Sequence, residues 1–229
     1  MIRVTENLGV IRDLLTQASL EAGRQGDAVA LLAVSKKQPL EAILAAAAAG
    51  QRDFGENFVQ EGLNKISACS RDDLRWHFIG HLQANKTRAV AENFDWVHTV
   101  DRFKIASRLS EQRPESLPDL NVCLQVNVDD EASKSGMAAT ELAELAHRVL
   151  ELPRIRLRGL MCLPAIRSEF EAQRKPFASL RRLLEELNRQ GMALDTLSMG
   201  MSEDFRAAIF EGSTIVRIGT ALFGPRPGV

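Results

Sequence analysis

The stretch Val29-Ala-Leu-Leu-Ala-Val34, Ser35-Lys36-Lys37-Gln38-Pro39, Leu40-Glu-Ala-Ile-Leu-Ala-Ala-Ala-Ala-Ala49 decides the fold. The uninterrupted apolar run 29–34 reads as a strand covered on both faces, as in a parallel sheet. Pro39 opens a helix and Gly50 closes it, in the usual order of helix-start and helix-stop residues. Strand, lysine and helix therefore form one βα unit with an amine at the strand's C-terminal end. A lysine at such a rim, once desolvated, loses its proton near neutral pH and attacks an aldehyde to form a Schiff base. The plain alternative is a solvated loop lysine.

The same grammar repeats along the chain. An amphipathic helix is expected near residues 2–22. Strands are expected at 29–34, 52–54, 74–80, 95–100, 121–128, 155–162, 194–199 and 214–218, with helical patterns between them. Gly50, Pro114, Pro153 and Gly191 follow helical stretches, as helix ends require. Eight βα units in 229 residues argue for an α/β fold of the (β/α)8 TIM-barrel kind, with one domain over 1–229 and an extra N-terminal helix. A doubly wound open sheet is the alternative.

Composition narrows the function. With 29 basic and 30 acidic residues the net charge is −1, and no basic block offers a footprint for nucleic acid. No stretch approaches the ~18 apolar residues that cross a membrane. The N-terminus lacks a signal-peptide core, so a cytoplasmic protein is expected. Cys69, Cys123 and Cys162 have neither metal nor disulfide spacing and read as reduced thiols. His77 and His81 stand four apart, but His77 lies in the strand Trp76-His-Phe-Ile79, so they share no helical face and no metal site is expected.

Active sites of barrels lie at the C-terminal strand ends. Read off there, the chain supplies Lys36, Gly55-Glu56-Asn57, Gly80-His81, His98-Thr99, Asn127 and Asp129, Met161-Cys162, Ser198-Met-Gly-Met-Ser202 and Arg217-Ile-Gly-Thr220. The last two groups suit phosphate, which barrels often bind after strands 7 and 8 with small residues and a helix N-terminus. Ser202 is the expected N-cap of that helix. Ordinary turn and cap chemistry reads equally well. Arg217 sits within a strand that should be buried, and a buried arginine needs an acceptor. Alternation puts it on the face of Gly219, toward the barrel mouth.

Nine segments then resemble one family. They are Ala33-Val-Ser-Lys-Lys37, Asp53-Phe-Gly-Glu-Asn57 with Val59-Gln-Glu61, His77-Phe-Ile-Gly-His-Leu-Gln-Ala-Asn-Lys86, Val126-Asn127, Ser133-Lys-Ser-Gly136, Arg158-Gly-Leu-Met161, Leu197-Ser-Met-Gly-Met-Ser202 and Val216-Arg-Ile-Gly-Thr-Ala-Leu-Phe-Gly224. In this order and spacing they resemble the pyridoxal phosphate homeostasis proteins, stand-alone versions of the fold-type III barrel of alanine racemase. The resemblance implies pyridoxal 5′-phosphate (PLP) as cofactor. It implies that Lys36 holds the aldehyde, and the choice of Lys36 over Lys37 rests on it, since alternation does not decide at a strand end. Ser198, Gly219 and Thr220 would anchor the phosphate, with the Met199–Ser202 turn, Met201 included, nearby. Arg217 would face the pyridine nitrogen, and Asn57 and His81 the ring or 3′-hydroxyl side.

An arginine stays protonated and leaves that nitrogen without a proton, which makes the ring a poor electron sink. The related racemase compensates with a second base, a tyrosine from a separate domain of its partner subunit. This chain has no tyrosine. No catalytic residue is assigned, and the expectation is a monomeric protein that binds, buffers and delivers PLP. Amino acids and apo PLP enzymes would be its partners. A weak or unrecognised PLP-dependent amino-acid racemase is the alternative. A phosphosugar enzyme without cofactor would need a paired acid and base, and none is identifiable.

Overall fold

A computed structural model describes residues 2–129 and 135–224. Eight parallel strands close on themselves in chain order: β1 (Ala30–Val34), β2 (Asp53–Glu56), β3 (Arg75–Phe78), β4 (Trp96–Val100), β5 (Leu120–Gln125), β6 (Ile155–Met161), β7 (Thr196–Ser198) and β8 (Ile215–Ile218). The surrounding helices are α1 (Ile2–Glu21), α2 (Leu40–Ala48), α3 (Val59–Ala68), α4 (Thr87–Asn93), α5 (Phe103–Gln112), α6 (Leu142–Leu150), α7 (Phe170–Arg189), α8 (Phe205–Phe210) and α9 (Thr220–Phe223). The protein is a (β/α)8 barrel with an additional helix at its N-terminal side. Among the described residues no helix is long and apolar enough to cross a membrane.

Closure is made by β1 against β8, with Leu32 opposite Arg217 and Ala33 opposite Ile218. A closed sheet has no edge to protect. The main apolar core lies between sheet and helices, where Phe54, Phe78, Ile43, Ile105, Leu109 and Phe177 are fully buried. Inside the ring the filling is different. Barrel interiors are dominated by branched aliphatic side chains, whereas this one carries a small cluster of Trp96, Cys123 and Met161. Beside it the polar side chains Asp53, His77, His98, Ser198 and Arg217 are hydrogen-bonded in series.

Two local expectations change. The second strand runs to Glu56 rather than stopping at Phe54, because the charged Glu56 is buried against Lys65 at 2.8 Å. The helix after β7 begins at Phe205 with Asp204, not Ser202, at its N-cap. Asp204 Oδ1 accepts the Met201 amide at 2.6 Å, which holds the chain in a turn until Asp204.

Asp53 anchors the interior polar series at the N-terminal end of the barrel. Burial raises its carboxyl, but bonds from His77 and from the Arg75 guanidinium outweigh that and set it at about 2, against an ordinary 3.8. A carboxylate with a depressed folded pKa stabilises above its unfolded value and loses that contribution as pH falls toward the folded one. Asp53→Asn is therefore expected to cost about 2 kcal/mol at pH 7. The gap to wild type should narrow as pH falls from about 4 toward 2, as denaturant melts over a pH series will read. A gap independent of pH would remove the ion pair as its cause.

Candidate cofactor site at the barrel mouth

A cavity of about 210 Å³ opens at the C-terminal strand ends. Lys36, Asn57, Met201, Arg217, Gly219 and Thr220 all line it, gathered from β1, β2, β7 and β8 and the turns that follow them. Gln38, Ile79 and Leu163 line it as well, and nothing in the sequence pattern singles them out. Ser198 is fully buried below the cavity rather than on its wall. His81 is exposed after β3 and is not among the lining residues. Lys134, the other lysine of the quoted motifs expected near the mouth, lies outside the described residues.

The turn carrying Lys36 is fixed by a buried ionic group. Ser35 donates its amide to Gly55 O at 2.9 Å and its hydroxyl to Glu56 Oε1 at 2.6 Å. Lys65, one α3 turn from Glu61, donates to Ser35 O at 2.7 Å, Glu56 Oε1 at 2.8 Å and Glu61 Oε1 at 2.7 Å. Glu61 Oε1 also accepts the Lys37 amide at 2.5 Å. Lys37 takes a left-handed φ of 60°, a region most residues avoid. That rotation leaves Lys37 exposed and Lys36 on the cavity wall, which separates the two lysines that strand alternation leaves equivalent. Glu56 feels its burial: desolvation lifts its carboxyl above the usual range, partly offset by Lys65 and Ser35.

Arg217 is 4% exposed. It donates to Ser198 O at 2.6 Å, Ser198 Oγ at 2.8 Å and Cys162 O at 3.0 Å. All three acceptors are neutral. Burial pulls the guanidinium below its ordinary value, with Asp204 among the groups that oppose this. Arginine nevertheless keeps its charge and five donors. A buried cation held by neutral oxygens alone, on a cavity wall, is the chemistry of a site for an acceptor or an anion.

Backbone geometry completes the wall. A Cβ on Gly80 would lie 2.0 Å from Asn57 O, so the segment after β3 presses directly on the chain at Asn57. Asn57 Oδ1 is buried and has no hydrogen-bond partner, an orphan that ordinarily needs an explanation. Gly200 has φ of 95° and packs against Ala208 and Phe205, which folds the β7–α8 turn tightly under Met201. Among the described residues no group of three or more His, Cys, Asp or Glu is arranged to hold a metal.

Comparison with known proteins places the chain in a family. Residues 15–227 match the family described as alanine racemase, N-terminal domain. The chain is 57% identical to the pyridoxal phosphate homeostasis protein of Pseudomonas aeruginosa, over 99% of this chain and 97% of that one. It is 52% identical to the protein of that name from Escherichia coli K12, over 97% of each. PipY of Synechococcus elongatus with PLP bound superimposes with a TM-score of 0.84 at 36% identity, covering 96% of this chain and all of PipY. An alanine racemase of Clostridium difficile shares the fold, with a TM-score of 0.79 at 16% identity. The chain belongs to the pyridoxal phosphate homeostasis proteins, within the alanine racemase N-terminal domain family.

Removing the cation beneath Lys36 tests its support. Lys65→Met strands the buried Glu56 carboxylate, a change that typically costs about 3–5 kcal/mol. Without Lys65 the folded state favours protonated Glu56, so the deficit should be larger at pH 8 than at pH 5.5. Urea melts at both values measure it, and equal deficits would show that Glu56 is not the burdened group.

Proposed function

We propose that this chain binds pyridoxal 5′-phosphate at the strand-end cavity through Lys36, and that it holds and hands on the cofactor rather than turning over substrate. One observation carries the reading. An amine, a guanidinium bonded to neutral oxygens, and an asparagine whose buried amide oxygen has no partner belong to residues that line one cavity of about 210 Å³. These are complements for the aldehyde, the ring nitrogen and the 3′-hydroxyl of PLP. Relatives that carry the homeostasis name, and PipY solved with PLP, support the same assignment.

When bound, the cofactor supplies an aldehyde that condenses reversibly with amines. Lys36 contributes the amine. Arg217 donates toward the ring nitrogen and, being a donor only, keeps a proton from settling there. Asn57 lies on the ring or 3′-hydroxyl side of the cofactor. Gly219, Thr220 and the Met199–Ser202 turn receive the phosphate, where small residues let backbone amides approach. Ser198 acts from below, as an acceptor for Arg217.

The rim favours exchange. Met201, Ser202 and Thr220 are exposed, so an incoming amine reaches the cavity without any part of the barrel opening. The chain has no tyrosine to serve as the second base of the related racemase. Amino acids and apo PLP enzymes are the acceptors this reading assigns.

Borohydride treatment of the PLP-loaded protein is expected to fix the cofactor to Lys36, with peptide mapping as the readout. Lys36→Ala should abolish the adduct, and an adduct on Lys37 or Lys134 would sink the assignment. Thr220→Val keeps the side-chain shape and removes one hydroxyl donor. A hydrogen bond to a charged acceptor contributes about 1.5–3 kcal/mol, so PLP should dissociate roughly ten- to hundredfold more readily. An unchanged Kd from equilibrium dialysis would take Thr220 out of the phosphate site.

A further inference from the structure

The polar series inside the barrel has only one arrangement of protons that satisfies every member. Arg217 Nη1 lies 2.8 Å from Ser198 Oγ, and a guanidinium only donates. Ser198 Oγ therefore accepts there, and its own proton must go elsewhere. Its remaining partner is His98 Nδ1 at 2.7 Å. If the hydroxyl donates to Nδ1, that nitrogen is bare and His98 carries its proton on Nε2. His98 Nε2 lies 2.9 Å from His77 Nδ1 and donates to it. His77 then carries its proton on Nε2, which lies 3.0 Å from Asp53 Oδ1. Every donor meets an acceptor and the series ends on a carboxylate.

The reverse order fails at the serine. A proton on His98 Nδ1 would leave the Ser198 hydroxyl hydrogen without an acceptor. This holds whether His77 is neutral, with a lone pair toward the Asp53 carboxylate, or charged, with a donor on each side. Charging His98 is no escape: burial, His77 and Arg217 all push its imidazole well below the usual range. Trp96 stacks on His77 with ring centroids 5.4 Å apart and an interplanar angle of 5°, which holds that ring against rotation. Arg75 grips the far carboxylate at 2.6 and 2.7 Å. The tautomer of a histidine is set by the bond its other nitrogen makes, and here that rule runs through two rings in succession.

We infer that Asp53, His77 and His98 are positioning residues for the cofactor site, holding Ser198 with its lone pair toward Arg217 through the one-way series Arg217 to Ser198 to His98 to His77 to Asp53. The inference rests on the proposed function for its consequence, because Arg217 is the group assigned to the ring nitrogen. The proton arrangement itself belongs to the protein without cofactor. A carboxylate at one end of the barrel thereby helps to set the guanidinium at the other. His98→Leu should leave the Ser198 hydroxyl free to rotate. His98→Gln should preserve the order, because its amide oxygen can accept from Ser198 while its NH2 donates to His77.

The experiment begins with long-range nitrogen–proton NMR of the apo protein, specifically labelled at histidine. Both His77 and His98 are expected to carry a proton on Nε2 and none on Nδ1. A proton on Nδ1 of either ring would overturn the inference whether or not PLP binds. PLP affinity and the absorption spectrum of the loaded protein are then compared for wild type, His98→Leu and His98→Gln. His98→Leu is expected to weaken binding roughly tenfold, on the scale of one hydrogen bond to a charged group, and to shift the absorption band. His98→Gln should restore both to near wild type. Wild-type affinity and spectrum in a folded His98→Leu would refute the positioning role. If that variant does not fold, His98→Gln decides: a folded His98→Gln with the affinity loss and shifted band refutes the order of donors. Wild-type protein with the expected tautomers but no adduct on Lys36 would defeat the proposed function and leave the proton arrangement standing.

Discussion

A buried guanidinium must be met by acceptors, and much of this barrel's interior is arranged around that requirement. Arg217 sits on the last strand, and among the described residues no carboxylate is bonded to it; a serine hydroxyl and two carbonyls take its donors. Had it been paired with an acid inside the ring, its charge would be spent internally. Neutral acceptors orient the group while leaving its field open to the cavity, where low dielectric makes a charge count for more. The serine needs an acceptor for its own proton, which brings in His98, and His98 brings in His77 and Asp53. This accounts for a polar column where barrels of this class ordinarily pack aliphatic side chains.

Lys36 is held by the opposite device. Beneath it Lys65 joins two carboxylates and a carbonyl, and the ionic group locks a turn rather than addressing the cavity. Breaking such a buried pair is costly, whereas keeping it adds little net stability. Its role lies in direction: Glu61 takes the Lys37 amide and holds Lys37 at a positive φ. One charge group is therefore closed on itself to fix a backbone, and the other stands on the cavity wall among neutral oxygens.

Much of this is legible from sequence, and the exceptions have physical reasons. β1 announces itself because a parallel strand buried on both faces becomes an apolar run, and the first half of β6 shows through its alternation of Ile155 and Leu157 with Arg156 and Arg158. β2 is faint because Asp53 and Glu56 are charged residues whose buried partners, His77 and Lys65, stand on other elements, and local pattern cannot see those partners. The same holds for the choice between Lys36 and Lys37, which depends on Glu61, twenty-four residues on. The strand-end rule gathers Asn57, Arg217, Gly219 and Thr220, and these four residues line one cavity. It does not distinguish a residue on the wall from one just beneath it, and so it cannot place Ser198, nor does it mark His98 as Ser198's partner.

The pairing of β1 with β8 has a consequence for the life history of the molecule. Leu32 stands opposite Arg217 across that seam, so the amine and the guanidinium come from strands at opposite ends of the fold. A chain emerging from the ribosome has Lys36 early, yet Arg217, Gly219 and Thr220 arrive only with the eighth strand. Until the seam closes there is no wall for a ligand to meet. Such long-range pairing is slow to form, and whatever binds only the finished ring favours it by mass action. On the proposed function, occupancy of the mouth is thus a record that synthesis and closure are complete: truncated or half-folded copies would be blind to the ligand, and supply of the ligand would draw the population toward finished barrels.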